Sequence, residues 1–204
     1  MTKRRATQHA IAACICLGLF IWLGGAVRNG RTLPFDVQVR EQIHQLANSS
    51  LTAGMKLLTN FGSSYWILPC AAAIMLLLWK QGRSNHAVIL AAALAGSYFL
   101  EYALKLTLGR IRPEPFFGIP SPATFSFPSG HAFFSSAFYG TLAYLTARTV
   151  TSRKQQIAIW LSASLSIALI CFSRVYLGMH YPTDVMGGVL IACFWINAVL
   201  VFAK

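Results

Sequence analysis

The sequence predicts an all-α fold, a polytopic membrane protein built as a six-transmembrane-helix bundle with an interfacial helix on its outer face. Two observations lead there. Of the 204 residues, 56% are hydrophobic and only 11% are charged. The apolar residues collect in six runs of roughly 20, the length that carries a helix across a hydrocarbon core, and polar segments separate the runs. Internal repeats and low-complexity tracts are absent, so residues 1–204 read as a single domain.

The first run, residues 10–27, follows the basic start Lys3, Arg4 and Arg5. A basic start, an apolar stretch and the small residues Gly24, Gly25 and Ala26 also fit a secretory signal; we read the run as a retained span. Residues 28–60 are more polar. Within them FDVQVREQIHQLA places Phe35, Val39, Ile43 and Leu46 at helical spacing with charge between, the pattern of a helix lying in the membrane interface. His44, on that helix, reads as an interfacial side chain.

The second run, residues 63–79, is the shortest and follows a half-apolar stretch at 51–61. Residues 87–108 form the third run, 131–150 the fourth, 157–176 the fifth and 185–202 the sixth. Between the third and fourth lies GRIRPEPFFGIPSPATFSFPSG, too rich in Pro and Phe to float freely. It is expected to fold over the outer end of the bundle, with Phe116, Phe117, Phe125 and Phe127 meeting acyl chains or one another.

Cation placement orients the bundle. With the N-terminus inside, Lys3, Arg4, Arg5, Lys80, Arg83, Arg148, Arg153, Lys154 and Lys204 face the cytoplasm, nine of the 17 Lys and Arg. The count alone barely decides, but most of these nine sit in very short loops, where the positive-inside bias is strongest. The five acids, Asp36, Glu41, Glu101, Glu114 and Asp184, all fall toward the opposite side. Both termini are therefore expected in the cytoplasm.

The net charge of +12 offers no basic stripe or polar domain on which a nucleic acid could lie. Basic loops facing anionic lipid head groups account for it, which makes membrane lipids the expected surroundings. The five cysteines lie in apolar runs without metal-ligand spacing and read as small hydrophobes.

Several ionisable residues converge on the outer surface if this topology holds. Lys105 and Arg112 flank the end of the third span, Ser129 and His131 open the fourth, and Arg174, His180 and Asp184 lie between the fifth and sixth. Singly, each has a plain structural role. Lys105 and Arg112 can snorkel, Ser129 can cap a helix, Arg174 and Asp184 can pair, and a lone imidazole can sit at the interface.

Together they make the inventory of a phosphoryl-transfer site. Three cations bind non-bridging oxygens, while Ser129 and the Gly130 amide add neutral donors at a positive helix end. One imidazole can attack and the other can protonate the leaving group. His180 and Asp184 are four residues apart, so a helix starting near Pro182 would let the carboxylate accept one ring proton and free the other nitrogen.

Three stretches, KLTLGRIRP from Lys105, PSGH from Pro128 and SRVYLGMHYPTD from Ser173, resemble the three-part motif of the type-2 phosphatidic acid phosphatase superfamily. Order and fixed positions all match. The resemblance implies a metal-independent lipid phosphatase working through a phosphohistidine, with no cofactor. By position it implies His180 as nucleophile, Asp184 as its orienter and His131 as general acid. Lys105, Arg112, Ser129, Gly130 and Arg174 would cradle the phosphate.

Soluble acid phosphatases and haloperoxidases share this superfamily, and six apolar spans set them aside. The expected substrate is a lipid phosphate or diphosphate: phosphatidic acid, phosphatidylglycerol phosphate and undecaprenyl diphosphate all qualify. The expected place is a bacterial inner membrane, with the site on the periplasmic side. Motifs that read phosphate leave the lipid tail and the oligomeric state open. The second functional class is a lipid-binding or lipid-translocating protein that keeps the fold without turnover. Glu101, four residues before Lys105, is expected to pair with it, and Arg110 is taken as a head-group or surface residue.

Overall fold

The computed structural model describes residues 3–203, so Lys204 of the inward cations lies outside them. Its eight helices are α1 (Lys3–Arg28), α2 (Leu33–His44), α3 (Ser49–Asn60), α4 (Ser64–Lys80), α5 (Ser84–Leu108), α6 (Gly130–Ala147), α7 (Arg153–Tyr176) and α8 (Pro182–Phe202). Among the described residues there is no strand.

The molecule is inside-out by the standards of a water-soluble fold. Trp22, Phe99 and Leu161 are 71%, 71% and 65% exposed, whereas Ser97, Ser135 and Thr141 are wholly buried. That distribution suits a hydrocarbon solvent, in which small and hydroxylated residues pack between helices and large apolar ones face outward. By length and composition, α1, α5, α7 and α8 can each cross a membrane; α3 and α4, bent by 44° at their junction, pass the same test as a pair. This is an integral membrane protein.

The expected fourth run forms α6, which is not among those four helices. Eleven of its 18 residues are buried, among them Ser135, Ser136 and Thr141. It touches α4, α5, α7 and α8 and is the centre of the bundle, so its composition is set by protein neighbours. α1 packs along α8, and Phe20, Leu23 and Val27 meet Phe127, Phe133 and Ile191 in the largest apolar cluster.

Two glycines set the approach of α8 to the start of α6. A Cβ on Gly187 would lie 2.5 Å from the Phe127 ring, and one on Gly188 would lie 2.6 Å from the Ser129 carbonyl oxygen. Ser129 N–H donates to the Asp184 carbonyl at 2.9 Å, which fastens the two helix starts together.

The Pro- and Phe-rich segment folds over one end of the bundle, as its composition suggests, and its rings mainly pack within the protein. Phe127 is buried against Phe20, Phe116 stacks on His44 with centroids 3.8 Å apart, and Phe117 stacks on Tyr176 at 5.6 Å. Phe125 is 39% exposed. His44 is therefore a packing partner of this loop, with its Nδ1 buried. The predicted amphipathic helix also forms, as α2, but its one buried residue is Asp36, while Phe35 is half exposed.

Candidate active site

The site lies where the last turn of α5, the loop after it, the starts of α6 and α8, and the end of α7 meet. Gly109 ends α5 in the left-handed conformation, φ +59°, its N–H donating to the Lys105 carbonyl. This turn sends Arg110 and Arg112 back over the bundle end; Ser126 N–H then donates to the Arg110 carbonyl at 2.8 Å and closes the loop. At the end of α7, Gly178 takes φ +71° where any Cβ would meet the Phe116 backbone nitrogen at 2.6 Å. That close approach brings the loop and the His180 segment side by side.

His180 is 2% exposed. Its Nε2 lies 3.0 Å from Arg112 Nη1 and its Nδ1 lies 3.4 Å from Asp184 Oδ2. A guanidinium has no lone pair to offer, so it donates and Nε2 accepts. The proton is then on Nδ1, where Ser126 Oγ lies at 3.3 Å and Asp184 Oδ2 at 3.4 Å, and the Nε2 lone pair faces Arg112. Burial, assisted by Arg112, pushes the ring down to about 3 against the opposing pull of Asp184, so the ring is neutral near neutrality.

Asp184 stands in the first turn of α8, where it also accepts the Tyr181 N–H at 2.8 Å and the Ser126 hydroxyl through Oδ2. Its other oxygen is taken by Arg110 at 2.7 Å. Arg110 is thus no surface residue. Its Nη2 pairs with Asp36 at 2.6 Å, its Nη1 also reaches Thr183 Oγ1 at 2.8 Å, and its guanidinium carbon lies 4.3 Å from the Tyr181 ring centroid. Burial works against the charge on Arg110, but Asp184 and Asp36 outweigh it and hold the guanidinium above its ordinary value.

The remaining predicted residues surround His180. His131 stands within electrostatic reach of Arg174, His180, Lys105 and Arg112. Lys105 Nζ pairs with Glu101 at 2.7 Å, as the spacing of four suggested. The Glu101 carboxylate abuts Gly130, where a Cβ would lie 2.6 Å from it, so a side chain there would displace the acid that holds Lys105. Arg112 also donates to the carbonyls of Thr124 at 2.7 Å and Met179 at 2.9 Å; burial lowers it from its ordinary value. Arg174 and Asp184 do not pair: Arg174 Nη1 donates to Thr59 Oγ1 at 2.8 Å.

Two buried donors in this cluster have no partner among the described residues. Ser129 occupies the N-cap position of α6, yet its hydroxyl caps nothing, and Arg174 Nε is equally unpaired. Unpaired buried donors are costly, and beside Lys105, Arg112 and a helix start they suit an anion with several oxygens. Chemically the cluster offers a neutral nucleophilic imidazole, a second imidazole and a ring of cationic and neutral donors.

The structure brings together all eight residues predicted from sequence and adds Ser126, Asp36 and Arg110. Ser126 stands five residues before His131 in the same loop, and the only hint for Arg110 is its place between Lys105 and Arg112. Asp36 has no local cue, since it looks like one more charge on an amphipathic helix.

The chain is similar to known lipid phosphatases. The chain is 26% identical over 170 residues to phosphatidylglycerophosphatase B of Bacillus subtilis, with 83% of each chain covered. It is 29% identical over 188 residues to an undecaprenyl-diphosphatase of Sulfolobus acidocaldarius, covering 90% of this chain and 84% of that one. Its fold superposes on the crystal structure of a transmembrane PAP2-type phosphatidylglycerolphosphate phosphatase from Bacillus subtilis with a TM-score of 0.85 at 24% identity, covering 93% of this chain and 94% of the other. With residues 86–204, more than half of the chain, matched by the model of the PAP2 superfamily, the chain belongs to that superfamily.

Proposed function

We propose that this protein is a lipid phosphatase that hydrolyses a lipid phosphate or diphosphate through a phosphohistidine formed on His180. The observation that carries the reading is the placement of that ring, with Nδ1 3.4 Å from Asp184 Oδ2 and Nε2 accepting from Arg112 at 3.0 Å, in a cluster that also holds Lys105, Arg174 and two unpaired donors. The relatives named as lipid phosphatases and diphosphatases support the same class.

In the first step, phosphate oxygens take over the donors of Lys105, Arg112, Arg174, Ser129 and the Gly130 amide. Arg112 moves its Nη1 from Nε2 to a phosphate oxygen, which exposes the lone pair. Nε2 attacks phosphorus, an N–P bond forms, the P–O bond to the leaving group breaks, and His131, protonated in the field of the bound dianion, gives its proton to the departing oxygen. Asp184 balances the charge that develops on the His180 ring. In the second step His131 takes a proton from water as it attacks phosphorus, the N–P bond breaks, and inorganic phosphate leaves. The cationic ring carries the charge stabilisation that metal ions supply in other phosphoryl-transfer sites, so the reaction is metal-independent.

The whole chain works as one domain with six spans: α1, α3–α4 as a bent span, α5, α6, α7 and α8. Both termini lie in the cytoplasm, α2 rests in the outer interface, and the site opens on the periplasmic side. A lipid then keeps its chains in the bilayer while its phosphate reaches the cradle. The test is phosphate release from phosphatidic acid, phosphatidylglycerol phosphate and undecaprenyl diphosphate. H180A abolishes release if the reading holds, and equal release by the variant sinks it.

A further inference from the structure

We propose that Asp36 and Arg110 are positioning residues that hold the Asp184 carboxylate, and through it the His180 ring, in the orientation that attack requires. The proposal rests on the reading of His180 as nucleophile. It makes α2 a working part of the site as well as a helix on its margin.

Consider first what fixes a carboxylate that must orient an imidazole. Asp184 can turn about its last side-chain bond, and His180, Ser126 and the Tyr181 N–H all act on Oδ2, which leaves the opposite oxygen without a hold of its own. Arg110 Nη1, 2.7 Å from Oδ1, anchors the opposite oxygen, so that Oδ2 stays toward His180 Nδ1. Charge-assisted guanidinium–carboxylate contacts are both strong and directional.

Arg110 in turn needs a fixed place. Asp36 supplies it through a 2.6 Å contact between Oδ2 and Arg110 Nη2. Asp36 is fully buried although its helix is otherwise largely exposed, and it also accepts Thr183 N–H at 2.9 Å and Thr183 Oγ–H at 2.6 Å. Thr183 directly precedes Asp184 at the start of α8. Asp36 thus grips both the guanidinium on Asp184 and the backbone turn that carries Asp184.

The charge arrangement points the same way. An anchor for α2 alone would be met by the two bonds from Thr183, with no need for a buried guanidinium between two carboxylates, an arrangement whose desolvation is costly. Arg110 between Asp36 and Asp184 has a chemical effect instead. It draws charge from Asp184, which keeps the proton on His180 Nδ1 and does not let it pass to the carboxylate. Asp36 moderates that draw, so Asp184 can still balance the charge that grows on the ring during attack.

The experiment uses full-length protein in detergent: wild type, D36N, R110Q, R110K and the double variant D36N/R110Q. It reads kcat and KM on a lipid phosphate, inhibition by inorganic phosphate, and the melting temperature. A positioning role lowers kcat by about tenfold or more in D36N and R110Q while the phosphate inhibition constant stays within about twofold, because the cradle is untouched. R110K, which keeps the charge but loses the fork, recovers part of the lost rate. The loss in the double variant falls short of the product of the two single losses, since Asp36 acts in part through Arg110 and in part through Thr183.

Folded D36N and R110Q with wild-type kcat overturn the proposal, as does a loss that only tracks a lowered melting temperature. Multiplying losses in the double variant also overturn it. If R110Q does not fold, D36N, which keeps the shape of the side chain, decides alone. Inactive wild type would instead overturn the phosphatase reading itself, and active wild type beside unaffected variants overturns the positioning role only.

Discussion

His180 is held neutral by burial, and its folded value of about 3 lies below the ordinary 6.5. Between those values the unfolded chain binds a proton that the folded protein does not. The contribution to stability is therefore complete above pH 6.5 and is lost as pH falls toward 3. Melting temperatures measured across that window should fall with pH in wild type and fall less in H180A; parallel curves would contradict the assignment. Lys105 is next, with Glu101 at 2.7 Å as its one ion-pair partner among the described residues. E101Q is expected to lower kcat by about tenfold through misplacement of that cation, with the fold retained; an unchanged rate in purified variant would remove the positioning role. The residues with chemistry in their names were legible because the motifs fix their spacing along the chain. Arg110 and Asp36 were not, because their meaning arises from a contact across 74 residues of sequence that leaves no local pattern.

At the scale of elements, helix existence and order were readable from apolar runs, and the largest differences lie at the ends. α8 begins at Pro182, three residues before the apolar run, because Asp184 in its first turn is held by Arg110 and Tyr181 N–H and not by hydrophobicity. The sequence of α6 reads as a span like the others, and its buried hydroxyls show a helix surrounded by protein. α2 was read from its apolar stripe, whereas its inward anchor is a carboxylate. The α6–α8 contact depends on the missing side chain of Gly188. G188A forces a Cβ toward the Ser129 carbonyl and the Ala132 side chain, so it should cost about 1–3 kcal/mol of stability and lower the rate, as overpacking of a tight contact does. A variant as stable and as active as wild type would show that the two helix starts can separate freely.

For the whole molecule, the fold places every cation of the cradle at one end of a bundle whose sides are apolar. A substrate with its chains in lipid and its phosphate at the surface meets that arrangement without leaving the membrane, which a soluble phosphate ester would not need. Reporter fusions should place the 113–127 loop outside and residues 81–83 inside; the reverse would put the site on the cytoplasmic face. Tail preference is illegible in sequence for a physical reason, since the role proposed for the motifs is to hold phosphate oxygens and the outward-facing apolar side chains are the same kind whichever lipid lies against them. The central claim is a histidine mechanism without metal. It is tested most directly by phosphate release from the three candidate lipids by purified protein with excess chelator, H180A alongside. Release that persists in chelator and vanishes in H180A is the predicted result; release that chelator abolishes, or that H180A retains, would contradict it.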